Sequence, residues 1–211
     1  MRLLPPHHLE FAVKFLICWS LGPAVSCCVC RAIITYRTGK RDTGTTQEFM
    51  ADLRERVLGS PEISTDGYLP YQPAVRTEFQ NSAHGVINKT FSVTHLRMDQ
   101  AHHRYSPAAV IACERESVQG VAEDISTSYV ERSNLSIRMG MRRMTRLTNA
   151  FSKKWENLWA AYCLWFAYYN FCRVHQTLTQ AHPNHYPTTP AMAAGIADHV
   201  WPVEETCDLL P

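Results

Sequence analysis

The chain has 211 residues, 45% of them hydrophobic and 19% charged, which excludes a disordered tail, a collagen-like or solenoid repeat and a multi-span membrane protein. Lysine and arginine total 21 against 19 acids, a formal charge of +2 that excludes a histone-like polycation but not a local basic patch. Twelve prolines and nine glycines interrupt the chain often and keep long helices few.

Four of the eight cysteines, Cys18, Cys27, Cys28 and Cys30, fall within the first 30 residues. No second ligand pair follows at zinc-finger spacing, so they read as small apolar residues in or near a strand. Arg2, the apolar stretch 15–21 and the small residues at 24–26 mimic a secretory signal. Lys14 and Pro23 break that stretch too early for a membrane span, and the other cysteines lack the spacing of a disulfide framework. The expectation is a cytoplasmic chain with no membrane association, headed by an atypical apolar, cysteine-rich leader at 1–30.

The β-branched and aromatic run AIITY predicts a strand at 32–36. A turn at 39–42 precedes Thr45 and Glu48 at capping-box spacing, and Phe49, Met50, Leu53 and Val57 recur as in a helix over 45–58. A brief strand at 63–67 stops at the turn Asp66-Gly67, a short helix follows at 68–79, and 85–93 reads as another strand. Strand and helix alternating in this way predict an α/β fold with a partly parallel sheet. Residues 94–127 are polar and irregular, with a hairpin expected around 110–113 and 117–121; His95, His102 and His103 lack the pairing of a metal site.

Between 131 and 154 there are seven lysines or arginines and one acid, Glu131. Asn134, Arg138, Arg142 and Arg146 recur every fourth residue and so would share one face of a helix; Arg143, Lys153 and Lys154 extend the basic character. Ser126, Thr127 and Ser128 offer caps for that helix. Trp155, Leu158, Trp159, Tyr162, Trp165, Phe166 and Tyr169 mark a second, aromatic helix that reads as core. The tail, 181–211, is proline-rich and extended apart from a short helix near 191–196.

Two acids stand out by position. Asp66 ends a strand at the carboxyl edge of the sheet, where open α/β sheets place their sites, and Glu131 opens the basic helix. Together they could hold Mg²⁺, a hard ion bound by few carboxylates plus phosphate oxygens, beside cations that bind a phosphodiester backbone. Each alone has an ordinary use, as a turn residue and as a complement to a helix dipole.

The blocks Thr65-Asp66-Gly67-Tyr68 with Tyr71, 126–135, 138–154, Gly39-Lys40-Arg41-Asp42, 168–175 with Thr177-Leu178, and 189–201 resemble, in the same order, bacterial transposases of the insertion-sequence-one type. The resemblance spans about 31–205. It implies a DDE catalytic core with an RNase H-like fold, a mixed sheet and C-terminal helices. It implies Asp66 and Glu131 as the second and third catalytic, metal-binding acids, Mg²⁺ as cofactor, and insertion-sequence DNA ends as substrate for strand cleavage and transfer. DNA contacts fall to Asn134, Arg138, Arg142, Arg143, Arg146, Lys153 and Lys154.

The departure lies upstream. Residues 1–30 contain no aspartate, and their one acid, Glu10, has no matching context. Asp42 precedes a helix and reads as its cap. The expectation is therefore an N-terminally truncated core at 31–180, its first strand or strands missing or replaced by unrelated sequence, followed by the tail. Its chemistry would be crippled and its Mg²⁺ binding weak. The rival expectation is a non-catalytic DNA-binding or regulatory fragment that oligomerises with full-length transposase; a secreted protein is a third.

Overall fold

The computed structural model describes residues 14–18, 24–92, 109–144, 149–150 and 152–208. Strands β1 (Lys14–Cys18), β2 (Ala24–Cys27) and β3 (Ile33–Tyr36) lead into helix α1 (Thr43–Arg56), strand β4 (Glu62–Asp66) and helix α2 (Tyr71–Glu78). Strands β5 (His84–Ser92) and β6 (Ala109–Gln119) complete one six-stranded mixed sheet in the order β3-β2-β1-β4-β5-β6. The first three strands pair antiparallel, β1 runs parallel to β4 and β4 to β5, and β6 returns antiparallel on β5.

This order corrects one expectation. Of the two alternatives, first strands missing or replaced, the sheet goes against the first, because β1 and β2 lie within the leader and β1 sits between β2 and β4. The physical reason is that KFLIC and AVSC are largely apolar runs able to form strands, and β1 gains a parallel partner in the distant β4.

Adjacent residues of β3 face opposite sides, so Ile34 joins one core and Ile33 the other. On one face Ile34 and Ile63 pack with Phe49, Met50 and Leu53 of α1 and with Tyr71 and Val75 of α2. On the other, Ile33 meets Ile137 of α3 (Ser128–Gly140) and Tyr162 and Phe166 of α4 (Trp155–Ala167). Helices on both faces of a mixed sheet bury both apolar sides. The aromatic stripe is core as expected, although Trp155 stays 53% exposed. A π-helical turn (Tyr168–Cys172) extends α4, and α5 (Gln176–Ala181), α6 (Pro190–Ala193) and α7 (Val203–Cys207) are short. Phe171 stacks on Trp201 at 4.3 Å and fastens the tail.

Three local readings change. Helix α1 starts at Thr43, because the Asp42 carboxylate accepts the Thr45 N–H at 2.8 Å; Glu48 pairs instead with Arg37. The hairpin expected at 110–121 is one continuous strand, β6, held along the whole of β5 with two register shifts. The single basic helix expected from 131 to 154 ends at Gly140. There a β-carbon would lie 1.8 Å from Cη2 of Trp165, so only glycine lets α3 and α4 approach. Met141 is extended, a 3₁₀ turn covers Arg142–Met144, and α4 begins at Trp155. His95, His102, His103 and Arg146 lie outside the described residues.

Candidate active site

Asp66 is the last residue of β4, and the parallel register sets it opposite Ile87 of β5. Its Oδ1 accepts the Tyr68 N–H at 3.3 Å, closing the turn that the Asp-Gly pair announced. Gly67 lies against Asn88: a β-carbon there would fall 2.1 Å from its Oδ1, so the Asn88 side chain would have to shift. Arg41, from the loop before α1, brings Nη2 to 3.8 Å from Oδ2 of Asp66 and lays its guanidinium 4.2 Å over the Tyr68 ring.

Glu131 occupies the first turn of α3, where a carboxylate complements the helix dipole. Its Oε1 accepts the Thr127 hydroxyl at 2.8 Å and pairs with the Lys89 ammonium. Lys89 belongs to β5, two residues beyond the one facing Asp66. Sheet and helix thus bring Asp66 and Glu131 onto one cleft of about 380 Å³, lined also by Arg41, Tyr68, Asn88 and Lys89. The acids are partly exposed, with 28% and 48% of their side-chain surface open.

Each acid carries its own cation, so the four charged groups of the cleft sum to zero. A two-ion magnesium centre needs carboxylates enough to hold both ions, with positive charge supplied by the metal. Here the cleft offers two acids, and no group of three His, Cys, Asp or Glu among the described residues is placed to hold a metal ion. Ile17 of β1 pairs with Thr65, so the next β1 position, the one beside Asp66, is Cys18 rather than an acid. Among the described residues, the cleft therefore supplies two acids to the two-ion centre that the resemblance implies, and these residues alone do not fit it.

The expected DNA contacts separate into two groups. Asn134 is 3% exposed and Arg138 half-buried, so neither belongs to an open basic face. Arg142 and Arg143 are exposed on the 3₁₀ turn, and Lys153 and Lys154 are exposed before α4. Nη1 of Arg143 donates to Oγ of Ser152 at 2.8 Å, which sets the two basic segments side by side. The sequence reading did not single out Lys89 or Asn88. They lie in the polar half of β5, and only the strand register shows which acids they reach.

A larger cleft of about 520 Å³ lies between α1 and the start of α4, lined by Tyr36, Asp52, Arg56, Trp155, Glu156 and Trp159 among others. Arg56 grips Asp52 through two bonds of 2.8 and 2.9 Å, and the Thr35 hydroxyl donates to the same carboxylate. The bonds from Arg56 and Thr35 outweigh burial and hold Asp52 below the usual carboxylate range. Asp52 is thus held in a structural pairing. No described helix is long and apolar enough to cross a membrane. Protein-family models, curated proteins and solved structures give no match to this chain.

Proposed function

We propose that this chain is a transposase-like, RNase H-like core that binds DNA and is defective in Mg²⁺-dependent strand cleavage and strand transfer. The observation that carries the reading is the meeting of Asp66 and Glu131 on one cleft, from a strand end and a helix start far apart in sequence. Support for the RNase H-like part comes from the mixed sheet, with an antiparallel β1-β2-β3 meander continued by the parallel strands β4 and β5. Exposed Arg142, Arg143, Lys153 and Lys154 supply the salt-sensitive phosphate contacts. Lys89 and Arg41 neutralise the two acids and argue against catalysis, since nucleophile and leaving oxygen are no longer both stabilised by metal.

Fluorescence anisotropy on labelled duplexes carrying insertion-sequence ends tests the binding. Affinity is expected to fall steeply with salt, to fall again in Arg142→Ala/Arg143→Ala, and to survive Glu131→Gln. Absence of binding at low salt would overturn the DNA reading. Mg²⁺-dependent nicking that disappears in Asp66→Ala would overturn the defect.

A regulatory role, in which the chain associates with full-length transposase, has one observation in its favour. Nothing among the described residues pairs with the outer side of β6, which exposes Val110 and Ile111. Such an unpaired strand is a template for a second chain.

A further inference from the structure

Cys27 ends β2 and the turn leading to β3 holds Cys28 and Cys30; Cys27 and Cys30 are 2% and 5% exposed. Several donors converge on the Cys27 sulfur. The Cys30 N–H reaches it at 3.3 Å, the Val29 N–H contributes another bond, and the Cys30 thiol donates to it as well. Arg31, held at a φ of 63°, adds positive charge beside it and sets its guanidinium 3.8 Å over the Tyr129 ring. The bond from the Cys30 thiol, helped by the backbone donors, brings Cys27 down to about 7 in spite of burial. The same bond, with burial, pushes the Cys30 thiol up. The Cys30 and Val29 N–H groups and the Arg31 charge thus favour the thiolate form of Cys27, with the Cys30 thiol three residues along the chain.

We propose that Cys27 and Cys30 are a redox pair, Cys27 the attacking sulfur and Cys30 the resolving one, closed to a disulfide by a low-molecular-weight disulfide. The Cys27 thiolate attacks one sulfur of the oxidant, whose S–S bond breaks and releases a thiolate that takes up a proton. Cys30 then gives up its proton and attacks the Cys27 sulfur of the mixed disulfide, expelling the second thiol. The protein dithiol loses two electrons and two protons, and the oxidant becomes two thiols. With Cys27 2% exposed, the exchange requires local opening of the turn and is slower than at an exposed cysteine.

The test uses the full-length chain, reduced, exposed to oxidised glutathione, blocked with an alkylating reagent and mapped by mass spectrometry. Wild type and Cys28→Ser are expected to lose two hydrogens, with the bond between Cys27 and Cys30. Cys30→Ser is expected to stay trapped as a glutathione adduct on Cys27. In wild type without oxidant, alkylation of Cys27 should rise with pH around a midpoint near 7, which also serves if a serine variant fails to fold. Unreacted Cys27 and Cys30 in folded wild type, closure through Cys28, or isolation of the protein with zinc on these sulfurs would each overturn the proposal.

Discussion

Asn170 satisfies both outward backbone groups of Ile33: the Ile33 N–H donates to Oδ1 and Nδ2 donates to the Ile33 carbonyl, each at 2.9 Å. β3 ends the sheet, so this amide takes the part of the strand that is missing beside it. Asn170 is 1% exposed and is delivered by the π-helical turn. Asn170→Leu would leave a donor and an acceptor buried without partners, and should cost about 2–4 kcal/mol. Urea denaturation reads this as a lower midpoint; an unchanged midpoint would show that water or another group takes over.

Acid should weaken the fold through two histidines. His84 is 1% exposed with Nε2 2.9 Å from the Thr65 hydroxyl, and burial holds its imidazole down to about 4. Burial does the same for His175, which packs edge-on to Tyr169. Between pH 6.5 and 4 the unfolded chain binds protons that the folded chain refuses, so stability is full above 6.5 and falls as pH drops through that window. His84 alone should remove on the order of 2 kcal/mol between pH 7 and pH 5. Denaturation curves at the two values check it, and His84→Gln should flatten the slope.

Lys89 is the internal counter-ion of Glu131. Lys89→Met should raise affinity for a single divalent ion severalfold, read by calorimetric titration with Mn²⁺, while Lys89→Arg should not. Equal affinities in wild type and Lys89→Met would mean that the ammonium does not oppose metal at this cleft.

Ile111 is 65% exposed on β6. Ile111→Lys should change stability by less than about 0.5 kcal/mol and reduce concentration-dependent association measured by sedimentation. A large loss of stability would place Ile111 in a core rather than on an open strand.

Much of the α/β alternation was legible because its signals are local. Ile33–Tyr36 is β-branched and aromatic, Asp66-Gly67 stops a strand, and Asp42 caps a helix. β1 was not legible as a sheet strand: the leader reads as foreign by composition, and pairing with β4 is a long-range event. β6 has little apolar alternation of its own and exists through its partner β5. The four-residue spacing of the basic run suggested one helix, but α3 ends at Gly140, where Trp165 from another element leaves no room for a side chain. The same limit applied to the cleft. Asp66 and Glu131 could be named from their own surroundings, whereas Arg41 and Lys89 became their partners only through tertiary placement.

The central position of β1 also orders events in time. β1, β2 and β3 are contiguous in the chain and can meander together soon after synthesis, but the parallel partner of β1 arrives only after all of α1 has been made. Long-range parallel pairing of this kind is intrinsically slow. Until β4 docks, the first-made strand waits with one row of hydrogen-bonding groups open, and a synonymous change that delays translation of residues 43–66 should lengthen that interval without altering the finished protein.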